Sequence, residues 1–318
     1  MYDIIDVSGW NEDHLDLGGT RDKALLVDPE GFTWIFKIGN HLLERVTEKL
    51  SYELALLAGI SHAEVQLATR NGEEGSICKH VISDPQNYTL REFVSLVKDS
   101  LGLVSPIEKI DYFEHKARYN KELVIATIDE IHPSLTEWFV KTMLFDFLIV
   151  NIDRNEGNWG LIKHKTADFY LFSPLYDSGL SLFIDKDDAY IKEKLELPQN
   201  KFRDLVIEKY SRVCVGKTRN TEFKKLINAI VTDHPDILNH FANTIQANWA
   251  DAHIEEAISE FPNIRTLTDE RKAFMSRVLR FNRDYLLAKA GIQDNKQTIC
   301  HPSEASQLIP LEPSRRFT

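Results

Sequence analysis

Asp153 and Asn158 stand five positions apart in the loop Asn151–Ile152–Asp153–Arg154–Asn155–Glu156–Gly157–Asn158, directly behind the apolar run from Phe145 to Val150. A further carboxylate, Asp177, lies in Pro174–Leu175–Tyr176–Asp177–Ser178–Gly179, after a short apolar stretch. These residue types at this spacing suit phosphoryl transfer. That chemistry needs an aspartate to orient an attacking hydroxyl and take its proton, and oxygen ligands to hold magnesium on the phosphates. Asp153 fits the base, because the apolar helix before it would hold it rigidly. Asn158 matches the aspartate-to-asparagine spacing of a kinase catalytic loop, and Asp177 a metal-binding aspartate on a tight turn. The competing reading is an Asx-rich turn between a helix and a strand. Either residue of the loop alone would favour that reading; the pair together with Asp177 favours the chemistry.

Phosphates also need a cation and backbone amides. Lys37 interrupts the otherwise apolar strand Trp34–Ile35–Phe36–Lys37–Ile38. It is either a snorkelling edge lysine or a phosphate contact. Glu48, in the next helical segment, is a candidate ion-pair partner for it, in competition with Glu44 and Glu53. Gly18, Gly19 and Thr20, followed by Lys23, could wrap phosphates with successive amides; a plain turn is the alternative. Arg154 is read either as steadying phosphate or substrate or as a surface ion pair. Lys116, Arg118 and Lys121 read as a solvated basic face. His234, His240 and His253 lack metal-ligand spacing.

The elements that must position these groups divide the chain. Lys23–Val27 and Phe32–Ile38 flank the turn Asp28–Pro29–Glu30–Gly31 and predict a hairpin. Val46, Leu50, Leu54 and Leu57 predict a helix over Val46–Ala58 that stops before Gly59. A second hairpin joins Glu64–Thr69 to Ser76–Ile82 through residues 71–75. Beyond the polar stretch Ser83–Asn87, helices are predicted over Leu90–Val97, Lys121–Ile131, Ser134–Val150 and Arg271–Ala290. Short strands are predicted at Trp159–Ile162 and Phe169–Phe172. The expected class is α+β and bilobal: a small β-rich N-lobe over 1–83, a larger helical C-lobe over 84–292, and a loosely ordered tail over 293–318. A cleft between such lobes excludes water and suits a nucleotide.

Bulk properties narrow the function classes. The 318 residues are 43% hydrophobic, ample for a core, and the net charge of −11 disfavours general nucleic-acid binding. Cys78, Cys214 and Cys300 form neither a zinc pattern nor a disulfide framework, which points to a reducing cytoplasm. The acidic start lacks the basic and apolar regions of a signal peptide. No stretch reaches the roughly 18 to 20 apolar residues of a membrane span. No G-x-S-x-G is present.

The loop from Asn151 to Asn158, the segment Pro174–Gly179, and upstream Gly19–Lys23, Lys37 and Glu48–Gly59 together resemble the HipA-like serine/threonine kinases of bacteria over about residues 15 to 290. The resemblance is to short members that lack an extra N-terminal subdomain. It implies a protein-kinase-like fold, ATP and Mg2+. It makes Asp153 catalytic, places Asn158 and Asp177 on the metal, and puts Lys37 on the phosphates. It also implies a protein substrate, such as an aminoacyl-tRNA synthetase or other translation factor, and an antitoxin partner. An exported effector kinase, a lipid or small-molecule kinase, and a silent nucleotide-binding module remain alternatives. Asp16 stands where the family's loop carries an autophosphorylated serine, and Thr20 is the only hydroxyl in this loop, so regulation at that serine does not carry over.

Overall fold

Asp28 makes the first hairpin. Its carboxylate accepts hydrogen bonds from the amides of Glu30 (3.0 Å) and Phe32 (2.8 Å) and from the Trp34 indole (2.8 Å), while Gly31 takes a φ of +88° that a side chain would resist. The computed structural model in which this is seen describes residues 1–13, 23–41, 43–100, 119–216 and 221–292. The hairpin strands β3 (Lys23–Val27) and β4 (Thr33–Lys37) join β1 (Ile4–Asp6), β2 (Asn11–Asp13), β5 (Val65–Arg70) and β6 (Glu73–Lys79) in one sheet, ordered β1-β5-β6-β4-β3-β2. Only β1 pairs in parallel, with β5; the other pairs are antiparallel.

Strand alternation decides what faces the cleft. Ala24, Leu26, Trp34, Phe36 and Ile77 bury together on one face. Ile35 and Lys37 therefore share the other, where Ile35 pairs with Cys78 on β6. Helix α1 (Glu44–Leu57) lies against the sheet, with Val46, Leu50 and Leu54 fully buried. It ends at Gly59 (φ +66°), where the Ile60 amide reaches back to the Ala55 carbonyl at 2.9 Å.

The second sheet is small: β7 (Tyr88–Glu92), β8 (Gly160–His164) and β9 (Tyr170–Phe172), in that order. The helices of this part are α2 (Phe93–Ser100), α3 (Lys121–Ile131), α4 (Ser134–Leu148), α5 (Asp188–Leu195) and α6 (Gln199–Ile207). They are followed by the short pair β10 (Tyr210–Ser211) and β11 (Thr221–Glu222). Then come α7 (Phe223–Asp233), α8 (Pro235–Asn248), α9 (Asp251–Ser259) and α10 (Asp269–Lys289). Helix α4 is the centre: Phe139, Val140, Leu144, Phe145, Phe147 and Leu148 are fully buried, each contributing about 1.5–3 kcal/mol. Trp159 stacks on Phe93, Phe139 and Phe172 with centroids 4.6, 5.0 and 5.4 Å away, and its indole donates to the Tyr119 hydroxyl at 2.7 Å. The core that holds α4 also takes in Leu43, Val46, Leu50 and Leu54, so α1 is packed from below as well as by its own sheet.

Three local readings change. Leu90–Val97 is not one helix: residues through Glu92 pair with β8, and the helix starts at Phe93. Sheet pairing overrides the helical spacing there. The turn of the second hairpin is only Asn71–Gly72 (φ +52° and +82°), with strand resuming at Glu73. Lys121 is not on a solvated face: it is buried and reaches Asp233 at 2.7 Å. Gly18, Gly19, Thr20, Lys116, Arg118 and the tail from 293 lie outside the described residues. Among the described residues no helix is long and apolar enough to cross a membrane.

Asn282 of α10 is fully buried and donates to the carbonyls of Phe147 and Leu148, both at 2.9 Å, where α4 runs out of helical partners. Asn282→Leu should lower stability by about 1–3 kcal/mol, read as a reduced urea midpoint with unchanged slope. A midpoint equal to the parent's would mean that these carbonyls find other donors.

Candidate active site

The chain leaves α4 through a strained residue. Val150 sits at φ +50°, a conformation that β-branched side chains resist, and turns the backbone into the loop that holds Asp153. Polar side chains fix that loop. Asn151 is buried, donates to Asp146 at 2.9 Å and accepts from the Asp153 amide at 3.0 Å. The Asp153 carbonyl accepts from the Asn155 amide and from Asn158 Nδ2, both at 2.7 Å. With Nδ2 so engaged, Asn158 presents its side-chain oxygen as its remaining acceptor.

Arg154 is neither a surface ion pair nor a phosphate contact; that reading is corrected by its burial, at 2% exposure. Its guanidinium donates to the Asp146 carboxylate from Nε (3.1 Å) and Nη2 (3.2 Å). From Nη1 it reaches the carbonyls of Asn158 (2.7 Å) and Tyr176 (2.6 Å), and from Nη2 the Ser178 hydroxyl (3.0 Å). One side chain thus joins the end of α4, the Asp153 loop and the Asp177 segment. Burial pushes the Asp146 carboxyl above its ordinary value, with Arg154 opposing. The network continues through Ser178 to His62 Nε2 at 3.3 Å, while His62 Nδ1 is 2.8 Å from the Ala63 carbonyl. With Ser178 accepting from Arg154, the consistent tautomer is a neutral His62 that donates from Nδ1 and accepts at Nε2. Burial, helped by the charges of Arg154 and Lys37, pushes His62 down to about 3 against the bond to Ala63.

Asp177 takes φ +57°. Lys37 is buried and bridges Glu48, in a short contact, and Asp177 Oδ1 at 2.9 Å. Glu48, rather than Glu44 or Glu53, is therefore its partner on α1. Burial acts against the Lys37 charge, but Glu48 and Asp177 outweigh it and hold the ammonium above its ordinary pKa. Two of its three donors are engaged, leaving one for a ligand. Gly179 allows the approach to α1. A Cβ there would lie 2.6 Å from Glu44 Cγ, while its amide donates to Glu48 at 3.1 Å and its carbonyl accepts from Thr47 at 2.5 Å.

These groups border a cleft of about 180 Å³, lined by Lys23, Lys37, Cys78, Asn158, Tyr176 and Asp177 among others. Lys23 comes from the strand position opposite Lys37. The structure thus brings Lys23, Lys37, Glu48, Asn158 and Asp177 together, with Asp153 tied to Asn158 at one side. Among the described residues no three His, Cys, Asp or Glu side chains gather into a metal cage. The oxygens of Asn158 and Asp177 still fit a cation that takes few protein ligands, as magnesium does beside phosphates. Asp177 shares its charge with Lys37, and buried Glu48 Oε2 has no hydrogen-bond partner. Arg212, whose Nη2 lies 3.2 Å from Asp153 Oδ1, carried no signal in the sequence because the contact spans 59 residues. Asp146 and Arg154 did carry one: a lone acid in an apolar helix needs a buried partner.

Arg154→Ala would strand the Asp146 charge and should lower stability by about 3–5 kcal/mol. Adding Asp146→Leu should restore about 2 kcal/mol or more of that loss while leaving nucleotide binding impaired, by urea unfolding and calorimetry. A double variant no more stable than the single one would exclude the stranded charge as the cause. For His62 the sign follows from its depressed pKa: the unfolded chain takes a proton below the ordinary 6.5, and the folded chain resists it down to about 3. Its stability contribution is full above 6.5 and falls as the solution is acidified toward 3, by up to about 1.4 kcal/mol per pH unit. His62→Gln should flatten the stability profile between pH 6.5 and 5 by that slope; parallel profiles would disprove the neutral imidazole.

The profile of the HipA-like C-terminal domain matches residues 15–249. The chain is 24% identical over 267 residues to the serine/threonine-protein kinase CtkA of Helicobacter pylori, covering 77% of each chain. A crystal structure of the proinflammatory kinase CtkA from Helicobacter pylori superposes with a TM-score of 0.73 at 17% identity, covering 91% of this chain and 97% of that one. A chain of the Shewanella oneidensis MR-1 complex of HipA, HipB and operator DNA gives a TM-score of 0.43 at 14% identity, over 87% of this chain and 66% of that one. The two-lobed α+β architecture is thus that of a HipA-like kinase, and the chain belongs to the HipA-like C-terminal domain family.

Proposed function

We propose that the protein is a serine/threonine protein kinase that uses ATP with magnesium. The observation that carries the reading is the Glu48–Lys37–Asp177 chain across a cleft that Asn158 also lines. Lys37 would hold the nucleotide phosphates with its remaining donor, and Glu48 would hold Lys37 in place. Asn158 and Asp177 would offer their oxygens to the metal. The metal, when bound, supplies charge neutralisation on the phosphates. Asp153 would orient the acceptor hydroxyl and take its proton as the phosphorus–oxygen bond to ADP breaks and the bond to the acceptor oxygen forms. Burial of Arg154 and Asp146 underneath keeps Asp153, Asn158 and Asp177 at fixed separations, which positioning-dominated catalysis requires.

A protein acceptor is the reading that the likeness to CtkA supports. An antitoxin partner, a translation factor as acceptor and cytoplasmic residence belong to the same proposal. Labelled ATP with magnesium, incubated with the protein alone and with a cell lysate, should give labelled protein. Asp153→Asn should reduce labelling by about 10²-fold or more, the scale of general acid–base catalysis, and Lys37→Met should weaken nucleotide binding. Equal labelling by parent and Asp153→Asn would overturn the assignment.

A further inference from the structure

The Asp153 carboxylate has a positive charge resting against it. Arg212 stands between buried neighbours: Ser211 and Val213 are 7% and 1% exposed. The backbone there is pinned by the Cys214 amide to the Tyr119 carbonyl at 3.0 Å and by the Lys121 amide to the Cys214 carbonyl at 2.9 Å. Its side chain, in contrast, is 59% exposed and rests on Asp153 Oδ1 at 3.2 Å. Lys209 lies three residues before it, half-buried, with its ammonium 4.5 Å from the centre of the Phe183 ring. Together with Ile152, Leu180 and Asp185, Lys209 lines a small cavity beside the Asp153 loop. In a chain of net charge −11, this edge sets two cations, Arg212 and Lys209, beside the carboxylates of Asp153 and Asp185.

Resting on the kinase reading above, we propose that Arg212 selects acceptors that carry a carboxylate next to the target hydroxyl, and that it covers Asp153 until one arrives. The pair with Asp153 has a single contact and an exposed guanidinium, so it is weak and exchangeable. A guanidinium binds a carboxylate in two parallel hydrogen bonds when geometry allows. A flanking Asp or Glu on the acceptor can offer that geometry where Asp153 offers a single oxygen. Moving Arg212 onto the acceptor frees Asp153 Oδ1 for the hydroxyl. Recognition and release of the base are then one event, because one guanidinium cannot serve both carboxylates in full. The pinned backbone on either side of Arg212 keeps this exchange within side-chain reach.

The test is a set of serine peptides differing only in the flanking residue (Asp, Ala or Lys), assayed with the full chain, ATP and magnesium. The parent should favour the Asp-flanked peptide over the Ala-flanked one by about tenfold in kcat/KM, the scale of one charge-assisted contact. Arg212→Ala should bring that ratio to near one and raise the rate on the Ala-flanked peptide. Arg212→Lys should keep part of the preference. Arg212→Glu should turn it toward the Lys-flanked peptide, which a merely structural role for Arg212 would not do. Phosphorylation of all three peptides at equal efficiency by the parent, or an unchanged preference in Arg212→Ala, overturns this inference and leaves the kinase reading standing. A parent that labels no peptide and no lysate protein overturns both.

Discussion

The site depends on one buried ion pair. Asp146 and Arg154 are eight residues apart and on different elements, and both are shielded from water. Taking two charges out of solvent is costly unless every donor finds a partner. Arg154 meets that condition through Asp146, two carbonyls and the Ser178 hydroxyl. Satisfying the charge and aligning the loops are therefore the same act. The segments bearing Asp153, Asn158 and Asp177 are joined by a group that does not itself line the cleft, and the backbone strain at Val150 and Asp177 is tolerated because that group and its partners over-determine their positions.

Much of this was legible in the residues, for physical reasons. The Asp153, Asn158 and Asp177 pattern could be read because loop chemistry is encoded by residue type at short range. The first hairpin and α1 could be read because Asp28–Gly31 and the Val46–Leu50–Leu54 spacing are strong local signals. Glu48 could be named as one candidate among three, but the choice rested on which face of α1 meets Lys37, and that is set by packing. Arg154 was misread because a short window cannot show burial. Only the depth of Asp146, itself fixed by the apolar run around it, makes Arg154 an internal group. Strands β1 and β2 were missed because three-residue strands with acidic residues leave little pattern. The start of α2 was misplaced because β7 owes its conformation to a partner about seventy residues later.

The charges around the cleft are paired locally. On the side of α1, buried Lys37 meets Glu48 and Asp177, and Lys23 lines the same cleft. On the side of Asp153, exposed Arg212 leans on that carboxylate, and Lys209 has Asp185 beside it. The chain as a whole is acidic, yet cationic side chains stand at both places. Local placement, not net charge, sets what each place attracts.

The lobes are also sewn together behind the cleft. The Tyr2 amide and hydroxyl donate to the carbonyls of Glu260 (2.7 Å) and Ala257 (3.1 Å), and its ring meets Phe261 edge-on. Leu175 exchanges backbone hydrogen bonds with Ser61 and Ala63, and Asn248 reaches the Leu57 carbonyl. Thr47 and Glu48 of α1 add hydrogen bonds to the Gly179 backbone, and Lys37 adds its contact with Asp177. The two lobes are thus fastened at their backbones as well as through charged side chains, and the strand pair that carries Lys37 and Lys23 is itself tied to Asp177.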